Sequence, residues 1–402
     1  MKPVSIPYFT ITCILILLFS CSIQKPLDFD KGSSIYENGY VDQPYVVILQ
    51  DGSWLCTFTT SAKIEGSSGQ HIVSMTSRDK GKSWINPIEI ESPTGPTASW
   101  AMPYITPYGR VYVFYSFNGG NVKTLNGNSI RNDMLGWYCY KFSDDNGLTW
   151  SDRYRIPMRK TNADLKNDWN GDVQIFWGIG KPIDHGNYMT LGFTKLGKYM
   201  LDLGEGWFFQ SDNIQTERNP DNINWVLLPD GMDGVRHPAY GSVQEEFNLV
   251  SITEDTLYSV YRTDLGFIAE SSSYNRGKSW TLPDSAHYLS GNPLLNPRAC
   301  PRIWKIDDNK YLIWYHNHGG TGFADRNPGW IAGGRWIDGE MKWSQPIPII
   351  YRQDKSYERG RLSYPDLVKQ DGKFWITVTN KEQGIVIKLP KRKIYRQAFK
   401  SF

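Results

Sequence analysis

One short stretch recurs along the chain and constrains its fold more than any other feature. It reads SRDKGKSW at 77–84, SDDNGLTW at 143–150 and SYNRGKSW at 273–280. Each copy places Ser, Asp or Asn, Gly, Ser or Thr, and Trp at the same spacing. The polar side chains can bond the backbone of a turn, Gly permits a positive φ, and Trp can pack beneath a sheet. We therefore expect this stretch, here called the box, to be a repeated structural turn and not a catalytic site.

Strand-like segments and turns recur around the boxes throughout the chain. PYVVILQDGSWLCTFTT, for example, predicts two strands joined by a turn at Asp51-Gly52. Phrases of this kind form six units between about residues 40 and 390. Repeats of about 40 to 60 residues with several short strands are typical of β-propellers. The 16 Trp, 24 Tyr and 17 Phe suit half-buried pleated strands. The sequence thus predicts an all-β, six-bladed β-propeller with box repeats.

The N-terminus has the features of an export signal. Lys2 precedes a short apolar stretch that ends in LFSC at Cys21, and this stretch is too short for a membrane span. The pattern resembles a bacterial lipoprotein signal, which implies lipidation of Cys21. We expect a signal peptide at 1–20, a tether at 21–35 and the propeller at 36–402. The protein would then be exported and held in the cell envelope, at the outer membrane or in the periplasm, by the lipid anchor alone.

Charge and cysteine usage exclude several other classes of function. The net charge of +3 comes from 44 basic and 41 acidic residues without a basic run, so we expect no nucleic-acid partner. Three cysteines remain after residue 21, without clustered spacing, and they indicate neither a disulfide framework nor a zinc site. His316 and His318 alternate in YHNHGG, but a third clear ligand is lacking. We expect no metal and no cofactor.

The boxes resemble the Asp boxes of the sialidase-like six-bladed propellers, and the resemblance extends over nearly all of residues 40–390. Sialidases use a Tyr nucleophile, a Glu that takes the Tyr proton, an acidic residue as acid and base, and three Arg that clamp a carboxylate. A neutral phenol suits an anomeric carbon that bears a carboxylate, because a carboxylate nucleophile would be repelled there. Forked guanidinium groups match the substrate carboxylate.

Several positions match the sialidase pattern. SYPDLVKQDGKFWITVTNKE resembles the strand that begins with the nucleophile, which implies that role for Tyr364. EEFNLVSITEDTLYSVYR resembles the segment with the Glu and the second clamp Arg, which implies Glu246 and Arg262, with Glu245 an open alternative to Glu246. ADRNPGWIAGG resembles the stretch with the third clamp Arg, which implies Arg326.

The first blade departs from this pattern. Sialidases have Arg-Ile-Pro before the first strand, whereas this chain has Asp42-Gln43-Pro44. Asp42 would replace the first clamp Arg and repel an anionic sugar or bind the hydroxyls of a neutral one. Loss of one Arg–carboxylate contact costs about 1.5–3 kcal/mol. Glu65, in KIEGSSGQHIV, occupies the place of the acid Asp, and another Arg usual just before this loop is absent.

The resemblance implies an exo-acting retaining glycoside hydrolase that removes a terminal, acidic or neutral, sugar from an oligo- or polysaccharide. It would be an exo-α-sialidase where the clamp tolerates Asp42. A pair of carboxylates, Glu65 and Glu246, could also work without Tyr364, as in related arabinan hydrolases. Two alternatives remain open: a surface lipoprotein that binds glycans without cleavage, and a uronate-directed polysaccharide lyase. Trp169 and Trp330 are candidates for stacking on a sugar ring.

Overall fold

The computed structural model describes residues 25–85, 87–323, 325–354, 356, 360–400 and 402. In this part of the chain, six sheets form the blades of a β-propeller, which confirms the predicted fold class. The predicted signal peptide and Cys21 lie outside the described residues. Among the residues described, no helix has the length and apolar character needed to cross a membrane.

Two short strands precede blade 1, which is a four-stranded antiparallel sheet in sequence order. Its apolar residues are buried on both faces because each blade packs between two others. The first six strands are β1 Leu27–Asp28, β2 Ser33–Tyr36, β3 Tyr40–Ile48, β4 Trp54–Ser61, β5 His71–Ser77 and β6 Ile88–Glu89. A 3-10 turn, Phe29–Lys31, joins β1 to β2.

Blades 2 and 3 follow the same antiparallel plan with insertions. Blade 2 and its inserted hairpin contain β7 Ala98–Ile105, β8 Val111–Phe117, β9 Thr124–Leu125, β10 Asn128–Ser129, β11 Trp137–Ser143 and β12 Tyr154–Arg155. A short helix, α1 Asn162–Lys166, then leads into blade 3. Blade 3 contains β13 Phe176–Trp177, β14 Ile183–Asp184, β15 Met189–Lys198, β16 Asp202–Ser211 and β17 Val226–Leu228. A 3-10 turn at Pro220–Asn222 precedes β17.

Blades 4 to 6 complete the ring. Blade 4 contains β18 Gln244–Ser251, β19 Leu257–Thr263, β20 Ile268–Ser273 and β21 Asp284–Ser285. Blade 5 contains β22 Arg302–Asp307, β23 Lys310–Tyr315, β24 Gly329–Ile337, β25 Glu340–Trp343 and β26 Ile347–Tyr351. Blade 6 contains β27 Ser363–Gln370, β28 Lys373–Thr379 and β29 Gly384–Leu389, and a π-helical turn at Lys393–Gln397 follows.

The segment before blade 1 closes the ring. Strand β2 is the outermost strand of blade 6, with Ser33 opposite Val386, and β1 extends blade 5, with Leu27 opposite Ile350. Phe29, between the two strands, is fully buried in the core of these blades. Residues 27–35 therefore belong to the propeller and not to a tether, which corrects the predicted boundary at 36. Sequence reasoning missed these strands because they are too short to show a period.

The boxes form the expected hydrogen-bonded turns. In the first copy, Gly81 has a φ of 81° and donates its N–H to the Ser77 hydroxyl at 2.8 Å. Ser83 donates its hydroxyl to the Asp79 carboxylate at 2.6 Å. The second copy has the same bonds, at 2.8 and 2.6 Å. Each box thus fixes the turn that leaves the third main strand of its blade, which is a structural role.

Candidate active site

Five of the six residues predicted to act on substrate line one cavity. The cavity has a volume of about 250 Å³ and lies where the innermost strands begin. This volume is below the 300–1,000 Å³ of sites for drug-sized ligands, so it suits about one sugar residue. The five residues are Glu65, Glu246, Arg262, Arg326 and Tyr364.

Tyr364 and Glu246 form a hydrogen-bonded pair at the base of two innermost strands. The Tyr364 hydroxyl donates to Glu246 Oε1 at 2.9 Å. Arg262 Nη1 lies 2.9 Å from the same oxygen. Burial, and then the Glu246 carboxylate, raise the pKa of Tyr364 well above its ordinary value. Tyr364 is therefore a phenol at neutral pH, and Glu246 is placed to accept its proton.

Bulges in the innermost strands direct these side chains into the cavity. Pairing with the next strand shifts between Glu245 and Asn248, and again between Ser363 and Asp366. Glu246 and Tyr364 lie within these bulges with φ of 61° and 46°. Left-handed backbone at a residue other than glycine costs about 1–3 kcal/mol and is concentrated at functional sites. A bulge also turns one side chain away from the face that strict alternation would give.

The bulge separates the roles of the two adjacent acids. Glu246 faces Tyr364, whereas Glu245 is fully buried behind the cavity. There, Glu245 accepts from Arg262 Nε–H at 2.9 Å and from Arg298 at 2.7 Å. The geometry therefore assigns the position beside Tyr364 to Glu246, while Glu245 holds two guanidinium groups in place.

Glu65 reaches the cavity from the loop between β4 and β5. Its carboxylate lies 2.7 Å from Arg131 Nη2 and 3.3 Å from Lys381 Nζ. Burial favours the neutral acid, but Lys381 and Arg131 outweigh burial and hold the pKa of Glu65 well below its usual range. Glu65 is therefore a carboxylate that bridges two cations.

Arg326 enters the cavity from the loop between β23 and β24. Its guanidinium donates to the Ser363 hydroxyl at 3.0 Å and to the Arg298 carbonyl at 2.8 Å. Its Nε–H is buried and finds no acceptor among the described residues. The Phe323 ring lies 5.9 Å from this guanidinium and 5.5 Å from that of Arg262. The aromatic ring limits hydration of the cations, which strengthens their interaction with an anion.

Comparison with known proteins shows which proteins share this fold. No protein-family model matches the chain. A sialidase of Clostridium perfringens is 28% identical over 163 residues, which are 39% of this chain and 41% of that sialidase. The chain thus matches about two fifths of that relative. A leech intramolecular trans-sialidase aligns with 91% of this chain and 71% of its own, with 14% identity and a TM-score of 0.63.

The fold is that of the sialidase-like six-bladed β-propellers. The same architecture also serves another sugar-directed class. A Penicillium chrysogenum α-L-arabinanase aligns with 90% of this chain and 98% of its own, at 14% identity and a TM-score of 0.57. At such identities the fold is shared, but the chemistry must be argued from the residues of the site.

Asp42 departs from the sialidase pattern in a different way than we expected. It is fully buried and does not line the cavity as the structure describes it. Its carboxylate accepts from Tyr40 at 2.5 Å and lies 2.7 Å from Lys381 Nζ. The structure therefore does not bring Asp42 to the cavity surface: the first-blade bulge follows it, and Gln43, with a φ of 54°, donates its side-chain amide to the Gly178 carbonyl of blade 3.

Sequence reasoning missed three cations of the cavity: Arg131 from blade 2, and Arg361 and Lys381 from blade 6. Arg131 supplies a guanidinium beside Glu65 from another blade, where the sequence lacked the expected local Arg. No local motif marks these residues, since they reach the site from loops of different blades. A basic residue in a loop at the correct end of a blade would have been the only available signal.

The remaining lining residues are apolar or aromatic. They are Trp100, Met134, Trp177, Met200, Leu201 and Phe323. The Trp100 and Trp177 rings lie 6.2 Å apart and come from blades 2 and 3. The two tryptophans named as candidates for stacking on a sugar do not line the cavity. Trp169 packs against Tyr199, and Trp330 packs in the core of blades 4 and 5.

Proposed function

We propose that the protein is an exo-acting, retaining glycoside hydrolase that removes a terminal acidic sugar from glycans. One observation carries this proposal: the 2.9 Å bond from Tyr364 to Glu246 in a small cavity rich in cations. The names of the similar proteins, sialidase, trans-sialidase and arabinanase, support glycosides as the substrate class. The cavity size supports recognition of a single terminal sugar.

In the first half of the reaction, Tyr364 attacks the anomeric carbon. A bond forms from the phenolic oxygen to that carbon, and the Tyr364 proton passes to Glu246. The bond from the anomeric carbon to the leaving oxygen breaks, and Glu65 gives this oxygen a proton. A phenol is a suitable nucleophile here because a carboxylate would be repelled by an acidic group beside the anomeric carbon.

In the second half, water releases the sugar. Glu65 takes a proton from the water, whose oxygen bonds to the anomeric carbon. The bond to Tyr364 breaks, and Glu246 returns the proton to the phenolic oxygen. Two displacements at the same carbon retain its configuration.

The acidic role of Glu65 depends on the substrate. Glu65 starts as a carboxylate because Arg131 and Lys381 hold its pKa low. An anionic sugar that binds near these cations weakens their hold and raises the pKa of Glu65. Substrate binding thereby favours uptake of the proton that the leaving group needs.

The anionic group of the sugar binds to Arg262 and Arg326. Arg326 has a buried Nε–H without an acceptor in the described part of the chain, and Glu246 Oε2 is likewise buried without a partner there. These two atoms belong to residues that line the cavity, where polar atoms of a ligand can satisfy them.

Release of terminal sugars from α-sialosides, uronic-acid glycosides and arabinosides tests the proposal. We expect the wild type to release an acidic sugar, with retained configuration by NMR in the first product formed. Tyr364→Phe should lower kcat at least 10³-fold, because the nucleophile is lost. Tyr138→Phe is the matched control, since Tyr138 is a buried core tyrosine whose hydroxyl has no partner among the described residues.

The outcome separates the possible mechanisms. Near-normal turnover by Tyr364→Phe, together with loss of turnover in both Glu65→Gln and Glu246→Gln, would show that Tyr364 is not the nucleophile. The two carboxylates would then carry the reaction as a pair. An unsaturated product that absorbs in the ultraviolet would indicate a lyase instead.

A second candidate function is binding of an acidic glycan without cleavage. The ion pairs of Glu65 with Arg131 and Lys381 favour it, because they oppose protonation of the acid that hydrolysis needs. A glycan retained by the wild type without new reducing ends after long incubation would select this function.

A further inference from the structure

The cavity cations share a common mode of support. Arg262 is held from behind by the buried Glu245 at 2.7 Å, and Arg131 by Asp133 at 2.7 Å, whose side chain is also fully buried. Each acid fixes a guanidinium group while remaining out of the cavity. A charged group at the cavity surface with a buried partner behind it is arranged to meet a ligand of opposite charge.

Lys381 has the same arrangement. Its ammonium group lies 2.7 Å from the fully buried Asp42, and the Lys381 side chain lines the cavity. Lys381 Nζ also lies 4.3 Å from the centre of the Tyr364 ring and 3.3 Å from Glu65. Asp42 thus acts on the cavity through Lys381, in the way that Glu245 acts through Arg262.

The backbone around Lys381 fixes this position. Lys381 lies in the turn between β28 and β29 with a φ of 80°. Its N–H donates to the Thr379 hydroxyl at 2.8 Å, and its carbonyl accepts from Val41 N–H at 2.9 Å. The turn of the last blade is thereby bonded to the first blade, so the ammonium group is placed by two blades at once.

The Lys381 ammonium group retains an N–H donor for a ligand. An ammonium group has three N–H donors. Asp42 and Glu65 account for two acceptors near Nζ, and the described residues provide no third hydrogen-bond acceptor. A carboxylate or sulfate in the cavity would satisfy the remaining donor and gain a charge-assisted bond.

We propose that Lys381 is an anion-binding, specificity-determining residue of the cavity. Lys381 belongs to the last blade, and it supplies a cation in place of the clamp Arg that the first blade lacks. It makes the cavity select sugars that carry a carboxylate or sulfate over neutral sugars. This inference rests on the proposed function for its ligand class, but it concerns binding and not turnover.

Calorimetric binding of three probes tests the inference: N-acetylneuraminic acid, glucuronic acid and galactose. We expect at least one sugar acid to bind the wild type more tightly than galactose does. Lys381→Met, of similar length but neutral, should weaken binding of that acid about 10- to 100-fold, the effect of one charge-assisted bond. Lys381→Arg should retain most of the affinity. Lys373→Met, at an exposed lysine of the same blade, should bind like the wild type.

The results distinguish this inference from the proposed function. Wild-type affinity for the acid in Lys381→Met, or no binding of either acid by the wild type, would overturn the inference. Equal loss of acid and galactose binding in a variant with a normal unfolding temperature would overturn it as well. If binding of the acid depends on Lys381 but no glycoside is hydrolysed, the proposed hydrolase function is refuted and the inference about Lys381 stands. If the wild type and Lys381→Met hydrolyse acidic glycosides equally well, the hydrolase function stands and the inference is refuted.

Discussion

At the scale of single residues, the site depends on which face of a strand each acid occupies. Glu245 and Glu246 are adjacent in sequence, yet one supports two guanidinium groups and the other meets Tyr364. Their substitution should therefore have different consequences, although the chemical change is the same.

Glu246→Gln should abolish turnover while affinity for a sugar acid changes little, because the amide cannot accept the Tyr364 proton. Glu245→Gln should instead weaken sugar-acid binding and lower the free energy of unfolding by about 3 kcal/mol, since the buried Arg262 and the partly buried Arg298 lose their shared carboxylate. Turnover, calorimetry and urea unfolding of both variants check this. If Glu245→Gln lost only turnover and kept its affinity and stability, the assignment of the two acids would be reversed.

At the scale of elements, the strands and boxes follow from local sequence, but the bulges do not. Aromatic and β-branched runs such as VYVFYSF predict the strand that is observed at Val111–Phe117. The bulge at Glu246 has no such signal in the sequence, because neither Gly nor Pro lies there. The strand is also buried on both faces, so it lacks the alternation of apolar and polar residues that would reveal a shift. A resemblance to sialidases pointed to Tyr364 and Glu246, whereas local pattern alone would have left them as core strand residues.

Lys381 illustrates a second limit of sequence reasoning. It lies 339 residues from Asp42, and only closure of the ring brings the two together. The presence of Asp42 in the sequence indicated a repulsive charge, while the folded chain neutralises it. Long-range pairs of this kind follow from topology and not from spacing.

One outer strand carries a pH-sensitive group. Glu270, on β20, accepts from the Tyr258 hydroxyl and lies near Asp284, Glu340 and Lys342. Burial, helped by the two other acids, raises the pKa of Glu270 to about 8. The unfolded chain loses this proton near pH 4.5, so between about pH 4.5 and 8 the folded state binds more protons. This acid therefore makes folding less favourable as the pH rises through that window.

We predict that Glu270→Gln stabilises the protein at pH 8 but not at pH 5. The gain should be on the order of 2 kcal/mol at pH 8, because the amide needs no proton to stay neutral. At pH 5 the native Glu270 is already neutral, and the two proteins should unfold at similar urea concentrations. Equal differences between the proteins at both pH values would show that Glu270 does not titrate in this window.

At the scale of the whole molecule, one buried residue ties the blades together beneath the site. Arg302 begins β22 of blade 5 and is 2% exposed. Its guanidinium donates to the carbonyls of Pro365 in blade 6, at 3.2 Å, and Ile179 in blade 3, at 3.0 Å. It also donates to the side chain of Asn248 in blade 4 and lies 4.7 Å from the Tyr45 ring of blade 1. Five of the six blades therefore meet at this group.

The position of Arg302 connects stability to the site. Asn248 follows the bulge that carries Glu246, and Pro365 lies in the same bulge as Tyr364. A change in the centre of the ring should therefore shift both residues of the pair, since each lies within two positions of a contact of Arg302.

Arg302→Met should lower the free energy of unfolding by about 3 kcal/mol or more, because buried carbonyls lose their donors and the methionine cannot replace them. It should also reduce turnover without a matching loss of affinity for a sugar acid, because the 2.9 Å bond between Tyr364 and Glu246 depends on the relative position of blades 4 and 6. Urea unfolding and steady-state kinetics below the unfolding transition measure the two effects separately. Arg396→Met, at an exposed arginine, is the control. A destabilised Arg302→Met variant with unchanged kcat would show that the blades hold the pair without this central tie.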